Sequence, residues 1–147
     1  MPSILTCLVA KRLGDPQRST VRQTYAVRDL AASLLSLILE RFCKSYSTLK
    51  PRITRALLKA YLDNKKPFPT HYGAITGLRV MGHEVVRAIV VPHLRIYADI
   101  LLQPALADGQ RDPSQRQDAE KVLEAIMVYH HEIKILTCLE SLEYIGN

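Results

Sequence analysis

Apolar side chains recur at intervals of three and four residues along almost the whole chain, and this spacing constrains the fold more than any other feature. Such a period places apolar residues on one side of an α-helix, whereas a half-buried strand needs strict alternation. Residues 85–91 come nearest to a strand pattern, but the helical spacing on both sides outweighs it. The sequence therefore predicts an all-α protein.

Six helices follow from this period and from the residues that start and stop helices. We expect them at residues 2–13, 22–46, 51–63, 70–81, 83–102 and 114–144. Thr70 is the expected N-cap of the fourth helix, Gly82 its stop, and Pro92 is expected to kink the fifth helix. The predicted buried stripe of the second helix consists of Val27, Leu30, Ala31, Leu34, Ile38 and Phe42.

Short links between these helices predict antiparallel neighbours, arranged either as a bundle or as a solenoid. Residues 26–32 (AVRDLAA) and 72–78 (YGAITGL) both place small residues beside large aliphatic ones. Their separation falls within the period of roughly 40–47 residues found in stacked helical-pair repeats. The length of 147 residues fits one domain of this kind over residues 1–147.

Charge is distributed unevenly along the chain. There are 20 Lys and Arg against 14 Asp and Glu, which gives a formal net charge of +6. The last thirty residues, however, hold six acidic and only two basic side chains. This pattern indicates an acidic partner for the basic part, or packing of the acidic end near the basic body. An ordinary solvated surface remains the alternative.

The third helix carries the candidate interaction surface. Arg52, Arg55 and Lys59 recur at steps of three and four on its outer side, Lys50 precedes them, and the pair Lys65 and Lys66 follows. Such a cluster fits phosphate groups, although the nearby aromatic residues are too few to indicate a base-stacking platform. A solvated helix face is the alternative that the sequence favours.

Patterns that carry catalysis or hold a metal do not occur in the sequence. The cysteines Cys7, Cys43 and Cys138 form no CxxC pair. His83 and His131 each precede a glutamate but lack the second histidine, four positions on, that a zinc protease requires. No GxSxG or phosphate-binding glycine loop occurs. We therefore predict no enzymatic activity, no metal, no cofactor and no membrane span.

Several blocks of sequence together resemble a known family. They are residues 4–11 (ILTCLVAK), 27–32 (VRDLAA), 51–55 (PRITR) and 70–78 (THYGAITGL), and residues 86–87 and 91–94 extend the likeness over residues 2–97. In this order they are similar to the conserved C-terminal HEAT-repeat domain of the sixth TBP-associated factor. That family belongs to the general transcription factor TFIID, and its forms also serve SAGA-type coactivators.

The resemblance implies a short α-solenoid of HEAT-type repeats, a nuclear scaffold that holds other TFIID or SAGA subunits without catalysis during RNA polymerase II transcription initiation. DNA contact by the domain alone is not expected. The implied repeat-packing residues are Arg28, Asp29, Tyr72, Gly73 and Gly77.

The chain also departs from the family pattern. Residues 22–25 (RQTY) stand where the family has a histidine-aromatic pair, and no block after about residue 100 matches. The family's histone fold is missing from these residues, so we expect a fragment or a single-domain form. The alternative function is a HEAT-like nucleic-acid-binding module, as in alkylation-repair glycosylases. A four-helix-bundle enzyme lacks the Glu-x-x-His sets it would need. The oligomeric state stays open.

Overall fold

The described residues form six helices, as the period predicts. The computed structural model describes residues 2–15, 17–18, 20–107, 109 and 112–145, with the backbone alone at 21, 133 and 135–145. The helices are α1 (Pro2–Val9), α2 (Val21–Phe42), α3 (Leu49–Leu62), α4 (Phe68–Val80), α5 (residues 83–106) and α6 (Pro113–Ile145). These described residues include no strand, and the all-α prediction is confirmed.

α5 is one helical path that contains two π-helical turns. The turns are Val86–Val90 and Ala98–Leu102, and Pro92 and Pro104 follow them by two residues. A proline has no N–H, and its ring collides with the carbonyl of the preceding turn. A widened turn accommodates both effects, so the helical path continues to residue 106 rather than ending near residue 102.

α4 lies at the centre and packs against α1, α2, α3 and α6. Its predicted apolar side is buried, and so is most of its remaining circumference; the buried residues are Phe68, Thr70, His71, Gly73, Ala74, Ile75, Gly77, Leu78 and the following Met81. The helix begins after Pro67, so the prediction of Thr70 as its N-cap is wrong. Gly82, with a φ of +116°, follows the end of α4, as predicted.

α1 approaches α4 so closely that only glycine fits at the contact. A Cβ atom on Gly73 would lie 1.7 Å from the carbonyl oxygen of Leu8, which is itself fully buried. A Cβ atom on Gly77 would lie 2.8 Å from Cδ1 of Leu57. The first obstacle is backbone and moves only if α1 moves, whereas the second is the end of a flexible side chain.

The buried side of α2 differs from the predicted stripe. Only Ala31 of that stripe is fully buried, while Val27, Leu30, Leu34 and Phe42 are between 42% and 60% exposed. The residues that face the core are Tyr25, Arg28, Ala31, Ala32, Leu35 and Leu39. α2 carries apolar residues on nearly all sides, so the period alone does not identify its buried side. The buried side is the one that contains Arg28.

Other helix ends also differ from the prediction, among them the end of α2, which lies at Phe42 rather than at residue 46. α1 stops at Val9, four residues before the predicted end at residue 13. α2 begins after Thr20, whose hydroxyl accepts from the Gln23 N–H, while the Thr20 N–H donates to the Gln23 side chain. This capping box satisfies N–H groups that have no partner inside the helix. Within the described residues, no helix is long and apolar enough to cross a membrane.

We expect Gly73→Ala to lower the free energy of unfolding by at least about 2 kcal/mol, because the new methyl group forces α1 away from α4. This loss outweighs the helix propensity of about 1 kcal/mol that alanine adds. Gly77→Ala gains the same propensity and meets the ends of the flexible Leu57 and Leu8 side chains rather than backbone, so we expect its cost to stay below about 1 kcal/mol. Urea denaturation followed by far-ultraviolet circular dichroism measures both; equal losses would contradict the inference.

Candidate functional site

Three of the predicted basic residues form one exposed row on α3. The side chains of Arg52, Arg55 and Lys59 are exposed, and their spacing places them on one side of the helix. Lys50 is partly buried at the start of α3. Among the residues that the structure describes, no carboxylate forms an ion pair with any of these four cations.

Lys65 and Lys66 do not join this row. Lys65 is exposed in the turn after α3, whereas Lys66 is partly buried and lines a separate depression with His71 and Asp112. The structure therefore separates Lys65 and Lys66 from the four cations of α3.

Aromatic side chains near the basic row do not form a stacking surface. Tyr61 and Phe68 are buried, and Tyr46 is exposed beyond the end of α2. Single-stranded nucleic acids bind through aromatic rings that lie open to successive bases. Tyr61 and Phe68 cannot act in this way.

The guanidinium of Arg28 closes the C-terminal end of α1. Arg28 is 1% exposed and donates from Nη1 to the Leu8 carbonyl (2.5 Å) and from Nη2 to the Ala10 carbonyl (2.7 Å). The last carbonyls of a helix lack partners within it and carry partial negative charge, so a cation there satisfies both needs. Burial lowers the pKa of Arg28, yet arginine remains protonated at neutral pH.

α4 supplies two further groups to this same end of α1. The Thr70 hydroxyl donates to the Ala10 carbonyl at 3.2 Å, and Gly73 leaves the space that the Leu8 carbonyl fills. Side chains from α2 and α4 therefore meet on the last carbonyls of α1. We call this arrangement, formed by Leu8, Ala10, Arg28, Thr70 and Gly73, the α1 junction.

Two tyrosine–aspartate hydrogen bonds join α2 to its neighbours. Tyr25 donates to Asp118 of α6, and Tyr72 of α4 donates to Asp29 of α2, each at 2.6 Å. The rings of Tyr25 and Tyr72 meet edge to face, with centroids 4.8 Å apart. Burial first, and then the neighbouring carboxylate, raises the pKa of both tyrosines. Both hydroxyls therefore remain protonated donors.

The acidic last helix is fastened to α4 by a second set of contacts. The Tyr129 hydroxyl donates to the Ile75 carbonyl at 2.6 Å. Arg79 lies 5.5 Å from the centre of the Tyr129 ring and forms an ion pair with Glu132. These contacts fit the predicted packing of the acidic end near the basic body. The side chains of residues 140 and 143 lie outside the described part of the chain.

His71 uses both ring nitrogens in the interior. Its Nε2 lies 2.7 Å from the Asp63 carbonyl, and its Nδ1 lies 2.9 Å from the Tyr97 hydroxyl. A carbonyl only accepts, so Nε2 carries the proton and Nδ1 accepts from Tyr97. Burial lowers the pKa of His71, and the Asp63 contacts oppose this only in part. The neutral ring therefore links the turn before α4 to α5.

Metal ligands and an open groove are the remaining features that could indicate a catalytic site. Among the described residues, no three His, Cys, Asp or Glu side chains are placed to hold a metal ion. A groove of about 760 Å³ runs between α2 and α6, with Tyr72, Thr76 and Arg79 on its floor. Its lining combines apolar residues with charges of both signs and includes neither histidine nor cysteine.

The helical period did not indicate that Thr70 and His71 are buried, whereas the family resemblance implied a packing or turn role for both. Both lie in residues 68–78, a run of eleven residues without a single charge. A helix that lacks a charged face is typically enclosed on all sides, and this signal was available in the sequence. No comparable signal marks Arg28 as buried, because charge by itself indicates a surface position.

Comparison with known proteins agrees with the resemblance. The family model described as the TAF6 C-terminal HEAT repeat domain matches residues 1–95. The HEAT-type, all-α architecture predicted from the sequence is thereby confirmed.

Curated relatives give the same result over more of the chain. The SAGA complex/transcription factor TFIID complex subunit Taf6 of Schizosaccharomyces pombe is 51% identical over 127 residues, which are 86% of this chain and 27% of that protein. Transcription initiation factor TFIID subunit 6 of Arabidopsis thaliana is 38% identical over 146 residues, 96% of this chain and 26% of that protein.

A third relative, Transcription initiation factor TFIID subunit 6 of Drosophila melanogaster, is 32% identical over 99 residues, 67% of this chain and 16% of that protein. The chain thus spans about a quarter or less of the length of these relatives. The likeness to the plant protein also extends through the last third, where no block was recognised from the sequence.

We expect Arg28→Met to lower the free energy of unfolding by at least about 3 kcal/mol, because two helix-end carbonyls lose charged donors worth roughly 1.5–3 kcal/mol each. Loosening of α1 should also accelerate tryptic cleavage after Lys11 and Arg12. Urea denaturation and timed proteolysis measure the two effects. Arg22→Met, at an exposed position of the same helix, is the matched control. Unchanged stability and cleavage in Arg28→Met would refute the role of the junction.

Acid should destabilise the fold through His71. Its folded-state pKa lies below the ordinary value of 6.5, so the unfolded chain binds more protons as the pH falls through that value. The contribution of the neutral His71 ring to the free energy of unfolding is complete above pH 6.5. Below that pH it falls by up to about 1.4 kcal/mol per pH unit. Urea midpoints across this range should fall less steeply in His71→Gln than in the unaltered chain. His83→Gln, at an exposed site, is the control, and equal slopes for all three proteins would contradict the assignment.

Proposed function

Because this chain belongs to the TAF6 C-terminal HEAT repeat domain family, we propose that it is a non-catalytic scaffold domain of a TFIID subunit, with a counterpart role in SAGA-type coactivators. It acts in the nucleus, in the initiation of transcription by RNA polymerase II. The observation that carries this proposal is the 51% identity to a subunit named for both complexes.

The internal contacts support a scaffold role. In this proposal Arg28, Gly73 and Gly77 hold α1 against its neighbours, and Asp29 with Tyr72 fixes α2 against α4. Arg28, Gly73 and Gly77 are buried, and Asp29 and Tyr72 bond to each other at the edge of the groove between α2 and α6. A rigid helical core of this kind leaves its outer helix faces to bind other subunits.

The exposed face of α3 is our proposed binding surface for those subunits. Arg52, Arg55 and Lys59 lie there without an ion-pair partner among the described residues. No observation favours the nucleic-acid-binding alternative, since the nearby Tyr61 and Phe68 rings are buried.

Affinity purification tests the proposal directly. The tagged chain is incubated with nuclear extract of Schizosaccharomyces pombe, and the captured proteins are identified by mass spectrometry. We expect TFIID and SAGA subunits to be enriched over a tag-only control. Recovery of neither set would count against the proposed function.

A variant pair then tests the binding surface. The triple substitution Arg52→Glu, Arg55→Glu and Lys59→Glu should leave the helical content intact and reduce subunit capture. The control is Lys11→Glu, Lys44→Glu and Arg95→Glu, which changes the same charge at exposed positions elsewhere. Equal capture by the two variants would exclude the α3 face.

A further inference from the structure

We propose that the outer face of α3 binds an acidic amphipathic helix supplied by another polypeptide. This inference rests on the proposed scaffold function, and it names the chemistry of one partner. Two parallel features of α3 carry it: an apolar strip formed by Pro51, Leu58 and Leu62, and the basic row formed by Arg52, Arg55 and Lys59.

The apolar strip is exposed at its two ends and partly buried in the middle, where Leu58 packs against the core. Pro51 is exposed, Leu58 is partly buried, and the Leu62 side chain is 47% exposed. Separations of seven and four residues place the three on one side of the helix, over a length of about 16 Å. With Lys50, Thr54 and Arg55, the first two also line a shallow depression on the surface. A strip of this length fits about three turns of a second helix.

The basic row runs directly beside the strip. Arg55 is four residues after Pro51 and three before Leu58, and Lys59 is three residues before Leu62. Each apolar residue therefore has a cation one turn away on the same face. The row lacks an ion-pair partner in the described part of the chain. A partner that covered the apolar strip with an uncharged surface would remove water from the neighbouring cations and offer them no new hydrogen-bond acceptors.

The chemistry of the occupant follows from this pairing. Apolar side chains at helical spacing would cover the strip, and carboxylates at i, i+3 or i+4, and i+7 would face the row. An acidic amphipathic helix presents both sets in parallel. A nucleic-acid backbone would meet three cations but would leave the apolar strip uncovered, which is why we favour a peptide.

The acidic side chains of α6 that the structure describes are engaged elsewhere. Asp118 accepts from Tyr25, Glu132 pairs with Arg79, and Glu120 and Glu124 pair within α6. The occupant in this proposal is a separate polypeptide.

Designed peptides test the inference on the full 147-residue chain. The probe is a labelled alanine-rich helical peptide with glutamates at the three row-facing positions and leucines at the strip-facing positions. Two matched peptides replace the glutamates by glutamine or the leucines by serine, and a labelled DNA duplex is the fourth probe. Fluorescence anisotropy at low and at physiological salt measures each affinity.

We expect the glutamate–leucine peptide to bind at least about tenfold more tightly than the glutamine peptide, because three charge pairs are lost. The serine peptide and the variant Leu62→Gln should each weaken binding about threefold or more. Arg52→Glu, Arg55→Glu and Lys59→Glu together should weaken it at least about tenfold, and the Lys11, Lys44 and Arg95 control should not. Circular dichroism verifies that each variant is folded.

Other outcomes overturn the inference. Equal affinities for the glutamate and glutamine peptides would overturn it. So would DNA binding that is tighter than peptide binding, weakens steeply with salt and is lost in the triple variant. Subunit capture from nuclear extract without peptide binding would reject this partner chemistry and leave the proposed function standing. Selective peptide binding without subunit capture would support the inference and count against the proposed function.

Discussion

Arg28 carries a full positive charge into a position where it is 1% exposed, and the carbonyls at the end of α1 are what make that position tolerable. A buried charge is costly unless it is hydrogen-bonded to groups of opposite polarity. Arg28 reaches these carbonyls because α2 turns it inward and α1 ends at Val9. The length of α1 and the inward face of α2 are thus fitted to each other, and Gly73 of α4 leaves the space in which the Leu8 carbonyl lies.

Tyrosine hydroxyls form further hydrogen bonds between the helices. Tyr25 and Tyr72 bond to carboxylates on neighbouring helices, Tyr129 bonds to a carbonyl of α4, and Tyr97 bonds to His71. Each such bond contributes about 1 kcal/mol, but it is satisfied only in one helix register. Together these bonds fix how α2, α5 and α6 sit on α4.

Periodicity and helix-stop residues predicted the class, the number of helices and the buried side of α4, because those features depend on local sequence. They failed for α2, where apolar residues surround the helix and the choice of face depends on Arg28 meeting a helix distant in sequence. The prediction of Thr70 as the N-cap of α4 failed for the same reason, because the Thr70 hydroxyl bonds to the Ala10 carbonyl of a distant segment rather than to its own helix. The six predicted cations were likewise divided by the turn after α3, which places Lys66 beside His71.

α3 differs from the helices that form the α1 junction. Its buried side is mostly apolar, with Ile53, Leu57 and Ala60, and the Tyr61 hydroxyl donates to the Val90 carbonyl of α5. The outer side of α3 therefore contributes little to the stability of the fold. Its cations form no ion pair with the described residues. Substitutions on α2 and α4 should then act on stability, and those on the outer face of α3 on binding, which separates the two kinds of residue in a scaffold.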